Sequence, residues 1–391
     1  MADASTDKVL IETAAQLETY FNTIRHEPLI AVDTEFFRET TYFAELGLVQ
    51  IAGGEHIACI DVLAFDAREQ LAQYLLNPDL GKIFHSCMQD LEVFYHYLGA
   101  LPTPVLDTQV AAALLDDADQ IGYANLVEKK LGVALDKSQT RTNWLKRPLS
   151  SRQLDYAADD VRYLTPLYRM LQQELDNSGR QEWFLQDCNA LNASTKRFEP
   201  DFEYCWKRVR GTQRLSAQQL AVIDSMARWR ETLAIAKNQT RRRVLSDEFM
   251  VQLAQFPPDS ETALATNRPL ARDLAQDHLA ALYMSIQSGL SASPESWPEP
   301  GSNRPDAEQK ALLKVLQSLV NNKAAALGIA PSVLCPRKAL EKLIEGERSL
   351  NVLQGWRLEM VGDALLSTLQ NSQTSIPGES KNATLDPMRG K

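Results

Sequence analysis

Cysteine is scarce and unpaired in this 391-residue chain. The five residues (Cys59, Cys87, Cys188, Cys205 and Cys335) are odd in number and form no C-x-x-C pair. That argues against a disulfide framework or a zinc ribbon and suits a reducing compartment. No apolar run approaches transmembrane length. The opening Met1-Ala2-Asp3-Ala4-Ser5-Thr6-Asp7 has neither a basic start nor an apolar core, so no secretory signal is expected and a cytoplasmic protein is. A G-x-x-x-x-G-K-[ST] loop is missing, which excludes a P-loop helicase. Positive charge is also in deficit. With a net charge of −10 the chain is poorly suited to coating nucleic acid indiscriminately, though local basic clusters remain open to it. What is present is bulk: 44% apolar residues over this length are enough for two or three domains.

Ile30-Ala31-Val32-Asp33-Thr34-Glu35-Phe36 reads as a buried strand ending in two carboxylates one residue apart. Strand alternation puts Asp33 and Glu35 on one face and Thr34 on the other. Two like charges at the end of a buried strand repel and resist desolvation, and a divalent cation relieves both problems. A strand running out into solvent would carry the same residues. Leu46 to Ala52 and His56 to Val62, joined across Gly53-Gly54-Glu55, predict a hairpin. A helix is expected over 66–76 with Asp66 and Glu69 as a capping box, then a strand at 82–84, a helix at 88–98 and a strand at 104–107. Helices should follow to about 186, with a polar loop near 132–150. This order predicts a mixed α/β sheet of ribonuclease-H-like type.

Basic residues cluster at 195–212. Beyond them Ser216-x-x-Gln219 predicts a capped long helix carrying Leu220, Ile223, Ala227 and Leu233 at helical spacing. The expected division is a catalytic domain over 1–195, a linker over 196–210, a helical domain over 211–290, a linker over 291–305, a second helical domain over 306–372 and a disordered tail over 373–391. The two helical blocks repeat faintly, Val244-Leu245 in one answering Val333-Leu334 in the other.

Two further segments carry acids. In Phe84-His85-Ser86-Cys87-Met88-Gln89-Asp90 a strand enters a helix with Asp90 in its first turn, where a favourable partner for the helix dipole is also an ordinary use. Ser150-x-x-Gln153 caps a helix on which Tyr156 and Asp160 lie one turn apart. A surface helix carries Tyr and Asp freely.

Taken together, D-x-E, H-x-x-x-x-D and Y-x-x-x-D in this order resemble the three exonuclease motifs of the DEDD superfamily, in its tyrosine branch. The segments between them, including Leu46-Gly47-Leu48-Val49-Gln50, Leu106-Asp107-Thr108-Gln109 and Arg147-Pro148-Leu149, are similar to bacterial members of the ribonuclease D family. The helical blocks resemble HRDC domains, clearly in the first case and weakly in the second. The resemblance implies a ribonuclease-H-like exonuclease domain followed by two all-α HRDC-type domains. It also implies Asp33, Glu35, Asp90 and Asp160 as ligands to two divalent cations, Mg²⁺ or Mn²⁺, with Asp33 bridging them. Hard oxygen donors without a Cys or His cluster suit those ions, which flank an in-line displacement at phosphorus. Tyr156 would orient the attacking water, since an ordinary tyrosine pKa near 10 makes it a poor outright base.

The implied activity is 3′→5′ exoribonucleolytic removal of nucleotides from a free 3′-hydroxyl, with tRNA precursors and small structured RNAs as partners, by a monomer without a membrane association. Substrate contacts are expected among Thr34, Phe36, His85, Arg147, Arg241 and Arg242, although Phe36 and His85 could be structural, Arg147 could belong to an ordinary loop and the arginine run could be a solvated face. The neighbouring Asp159 lies about a hundred degrees round the helix from the Tyr156 face and is the weaker ligand candidate. Rival readings are a DNA-directed exonuclease of the same superfamily and a non-catalytic RNA-binding adaptor.

Overall fold

The computed structural model describes residues 8–115, 119–136, 138–139, 142–266, 276–299 and 306–374. Most of the tail expected over 373–391, the end of the linker expected over 291–305 and Lys137 lie outside the described residues. The chain forms two compact units, one of Met1–Ala111 with Ile121–Asn303 and one of Ala112–Gln120 with Arg304–Lys391.

From the N-terminus the elements run β1 (Lys8–Ile11), α1 (Ala14–Ile24), β2 (Leu29–Phe37), β3 (Glu45–Gly53), β4 (His56–Ile60), α2 (Arg68–Leu75), β5 (Gly81–Phe84), α3 (Met88–Leu98), β6 (Val105–Asp107), α4 (Thr108–Leu115), α5 (Tyr123–Leu131), α6 (Ser151–Arg162), α7 (Leu164–Asn177) and α8 (Gln181–Leu191). The strands make one mixed sheet in the order β1-β4-β3-β2-β5-β6. β2, β3 and β4 are the expected antiparallel meander, and β5 and β6 add to β2 in parallel. The sequence reading missed β1, whose four residues pair in parallel with β4 and close that edge. It also placed the start of α2 too early. The helix begins at Arg68, and Asp66 instead accepts the Arg68 N–H at 3.1 Å without a capping box.

β2 sits in the middle of the sheet. Ile30, Ala31 and Val32 are inaccessible to solvent, and then Asp33 and Glu35 emerge while Thr34 stays buried. The strand therefore changes from core to cleft floor within its own length. Ile30 and Val32 pack with Leu17, Phe21, Ile51, Leu71, Phe84, Leu91 and Phe94 in one cluster. At about 1.5–3 kcal/mol per large buried apolar side chain, this core makes β2 a rigid platform.

The first helical block shares the larger unit. A 20-residue helix, α9 (Ala217–Ala236), starts at the predicted Ser216–Gln219 capping box. Short α10 (Arg241–Val244) and α11 (Asp247–Gln255) follow. α9 packs on a helix over Gln276–Leu290, where a Cβ at Gly289 would lie 2.5 Å from Val222 Cα, so only glycine allows that backbone approach. The smaller unit repeats the order with a 21-residue helix, Ala307–Leu327, then Pro331–Leu334 and Arg337–Ile344. Its interior is formed by residues such as Leu316, Val320, Leu334, Leu343, Trp356 and Leu365. No helix among the described residues is long and apolar enough to cross a membrane.

Candidate active site

Three segments far apart in sequence meet at the C-terminal half of β2. Asp33 and Glu35 project from the strand on one face, and α6 crosses that face with Tyr156 and Asp160 one turn apart. The capping box of Ser150 and Gln153 starts α6 where the sequence predicts it. Asp33, Glu35 and Asp160 each offer a carboxylate oxygen within 4.8 Å of the others, the one such grouping among the described residues. They line a cleft of about 680 Å³ together with Thr34, Phe36, Asp90 and Tyr156.

Asp90 reaches the same cleft from α3, set slightly apart from the other three. Its Oδ1 accepts the Thr34 hydroxyl at 2.5 Å, and the Thr34 backbone N–H also points at this carboxylate. The turn that delivers Asp90 is held by another acid. Ser86 has φ +60°, an unusual value for a residue with a side chain. Asp107 keeps it there, accepting the Ser86 N–H at 3.0 Å and the Cys87 N–H at 2.8 Å while also capping α4 through the Gln109 N–H. The sequence reading missed this hold on the turn.

The four acids destabilise one another in their ionised form. Burial, then the Asp90, Asp160 and Glu35 carboxylates, raise the Asp33 pKa well above the usual range. Glu35 is pushed to about 9 by burial and by Asp160 and Asp90. Asp90 rises to about 7 by burial, opposed by the Thr34 hydrogen bond. Asp160 rises to about 7 by burial, opposed by the Tyr156 hydroxyl, which donates to it. A cluster of hard oxygen donors at these separations, poorly stable as bare anions, fits a divalent cation of the Mg²⁺ class. Asp159 faces elsewhere, its carboxylate accepting Arg162 Nε at 2.8 Å.

Trp144 is 2% exposed, with its ring 6.2 Å from that of Tyr156. Its loop lies so close to β3 that a Cβ at Gly47 would come within 2.6 Å of the Trp144 carbonyl oxygen. Gly47 is also the residue skipped where the β2–β3 register shifts after Glu35. Arg147, expected to touch a substrate phosphate, is instead the clamp of this loop. Its Nε and Nη2 bind the buried Asp61 carboxylate at 2.5 and 2.7 Å, while Nη1 and Nη2 donate to the Trp144 and Gly47 carbonyls at 2.7 Å each. With its donors so occupied, it is not brought to the cleft.

The remaining candidates divide. Phe36 lines the cleft and packs partly on the core. Thr34 is 5% exposed, with its hydroxyl occupied by Asp90. His85 lines the cleft but lies 2.9 Å from Thr108 Oγ1 and 3.0 Å from the Ile121 carbonyl, and burial lowers its pKa. Its ring is thus a structural cross-brace. Arg241 pairs with the buried Glu231 at 2.5 Å, and Arg242 is an exposed side chain 3.6 Å from Glu248; neither lines the catalytic cleft. The sequence reading missed Tyr123 and Thr142 in the wall. It also missed Gln50, Asp33's partner across the β2–β3 ladder, which is fully buried with neither amide atom hydrogen-bonded among the described residues.

Residues 9–176 match the family described as 3′-5′ exonuclease, and residues 219–282 match the HRDC domain. Curated relatives agree over nearly the whole chain. Ribonuclease D of Acidiphilium cryptum is 36% identical over 92% of each chain. Ribonuclease D of Pseudomonas paraeruginosa is 36% identical over 89% of this chain and 94% of its own. The chain belongs to the ribonuclease D family. Membership makes it a 3′→5′ exoribonuclease whose exonuclease match falls on the sheet and its helices. The crystal structure of Escherichia coli RNase D superposes with a TM-score of 0.83 at 31% identity, covering 93% of this chain and 99% of that one. The catalytic core of RRP6 from Trypanosoma brucei shares the fold, with a TM-score of 0.60 at 21% identity. In this ribonuclease D-family chain the HRDC match covers the first helical block.

Proposed function

We propose that the chain trims the 3′ ends of tRNA precursors and other small structured RNAs, releasing 5′-mononucleotides with the help of two divalent cations, Mg²⁺ or Mn²⁺. The observation that carries this reading is the meeting of Asp33, Glu35 and Asp160 within 4.8 Å, with Asp90 in the same cleft. The E. coli enzyme of the same fold is described as an exoribonuclease involved in structured RNA processing. The four carboxylates, Asp33, Glu35, Asp90 and Asp160, would hold the cations. Bound there, such ions supply Lewis acidity at the scissile phosphate.

The chain's own groups do the rest. Tyr156, anchored by its hydrogen bond to Asp160, orients the attacking water. Phe36 offers a ring in the cleft wall for the terminal base. Buried β2 and the Arg147 clamp keep these groups from shifting, which is what effective in-line attack requires.

The functional division follows the sequence: an exonuclease domain over 1–195, an HRDC domain over 211–290 that grips the RNA body, and a second HRDC-type domain over 306–372. The repeated order of long, short and medium helices supports the last of these. The acidic cluster is complete within one chain, which supports a monomer, and five buried free cysteines suit the cytoplasm.

The test is purified protein on a 3′-extended tRNA and on matched RNA and DNA oligonucleotides, with Mg²⁺, Mn²⁺ or chelator. Stepwise shortening of the RNA from its 3′ end, dependent on the metal, is the expected result. Preference for DNA, or shortening undiminished by chelator, would overturn the reading.

A further inference from the structure

A second cavity, of about 390 Å³, opens where the exonuclease sheet meets the first helical block, and Arg38 stands in the walls of both this cavity and the catalytic cleft. The junction around it is tightly wired. Asn238 Oδ1 accepts the Tyr42 and Phe43 N–H groups at 3.1 and 3.2 Å, and its Nδ2 donates to Glu45 at 3.0 Å. The Thr240 N–H donates to the Thr40 carbonyl at 3.2 Å. Tyr42 and Arg241 both bind Glu231, which is 1% exposed.

Four arginines line the cavity, and their charges are unequally matched. Arg38 pairs with Glu92 and Arg241 with Glu231. Arg208 is only loosely neutralised, 3.6 Å from that same Glu231 and 3.9 Å from Asp201. Arg197 has no carboxylate partner among the described residues; its guanidinium donates to the Ala190 carbonyl at 3.1 Å and to Met88 Sδ at 3.5 Å. Glu199, the other lining acid, accepts from Thr195 Oγ1 at 3.1 Å. Two wall atoms, Thr41 Oγ1 and His96 Nε2, are buried without a hydrogen-bond partner among the described residues. Surplus positive charge beside unsatisfied polar groups, in a preformed hollow, is the chemistry of an oxyanion site. Arginine's planar fork suits phosphate in particular.

We infer that this cavity binds a backbone phosphate of the RNA strand upstream of its 3′ end, Arg197 and Arg208 supplying the charge. It rests on the RNA-processing reading of the neighbouring cleft, because the shared Arg38 wall makes the cavity the next stop for a strand whose end lies on the carboxylates. A free anion would need no such continuity.

The experiment measures binding of 5′-labelled oligoribonucleotides of two to eight nucleotides to the full chain in chelator, so that cleavage plays no part. Wild-type affinity should step up once the strand is long enough to reach the cavity. Arg197→Glu should abolish that step, weakening the octamer roughly tenfold or more, and should lower the slope of log K against log salt by about 0.7, one single-strand phosphate contact. Arg197→Lys, which keeps the charge, should retain most of the step and guards against a folding defect. A step that survives Arg197→Glu, or an equal loss at every length, overturns the proposal. So does inorganic phosphate binding at the arginines without any length dependence for RNA. Hydrolysis of the same RNAs with Mg²⁺ is scored separately: its absence alongside an intact, Arg197-dependent step would sink the catalytic reading and leave the phosphate site standing.

Discussion

Asp33→Asn removes one negative charge from a cluster in which three carboxylates offer oxygens within 4.8 Å of one another. At that separation two ionised carboxylates repel by about 3.5 kcal/mol for an effective dielectric constant of about 20. A second route gives a similar size. Raising a carboxyl from its ordinary value near 4 to about 7, as for Asp90 and Asp160, corresponds to about 4 kcal/mol against the ionised folded state. The sign is set by the folded pKa lying above the unfolded one. Such a group contributes stability that is fully present below about pH 4 and is lost as pH rises through about 7, continuing to about 9 for Glu35.

Metal-free wild type should therefore weaken between about pH 5 and pH 8.5. In chelator, Asp33→Asn should be more stable than wild type by about 2–3 kcal/mol at pH 8 and by much less at pH 5. Mg²⁺ should stabilise wild type more at pH 8 than at pH 5.5, because ligation needs ionised carboxylates, and should stabilise the variant little. Exonuclease activity should fall by roughly 10³-fold or more. Thermal unfolding at the two pH values, with and without Mg²⁺, together with cleavage of a 3′-extended RNA, measures all of this. A variant that is less stable than wild type in chelator at pH 8, or one that still cleaves, refutes the reasoning.

Other perturbations follow from the same geometry. Tyr156→Phe deletes the donor that holds Asp160 down, so the acid limb of the pH–rate profile should move to higher pH while kcat drops about 10–100-fold; a stationary profile would contradict the hydrogen bond's role. Arg147→Ala strands the buried Asp61 carboxylate and frees the Trp144 and Gly47 carbonyls, so denaturant unfolding should show a loss of about 3–5 kcal/mol. Arg147→Lys should recover little of it, since one ammonium cannot reproduce the fork. Gly47→Ala drives a methyl to 2.6 Å from the Trp144 carbonyl, which should shift the loop, lower kcat and cost about 1–3 kcal/mol.

How much of this was legible beforehand depended on the range of the interaction. The faces of β2 and α6 follow from periods of 2 and 3.6 residues, so the pairings Asp33 with Glu35 and Tyr156 with Asp160 could be read directly. Two of the three predicted capping boxes, Ser150–Gln153 and Ser216–Gln219, form, each closed by partners three residues apart within one helix start. The third, at Asp66, fails because Asp66 caps the Arg68 N–H from outside the helix.

The basic residues behaved differently, since a guanidinium on a long side chain finds whichever carboxylate the fold places near it. Arg147 looked like a phosphate ligand until Asp61, 86 residues away in sequence, claimed it. Arg241 was taken by Glu231 and Tyr42, while Arg197, one of the basic cluster at 195–212, was left without a carboxylate partner among the described residues. Local spacing thus determined which carboxylates share a face. Only the tertiary structure decided that β2, α3 and α6 bring those faces together, and which arginines keep charge to spare, because long-range packing and charge pairing are settled by distances in space that chain separation does not encode.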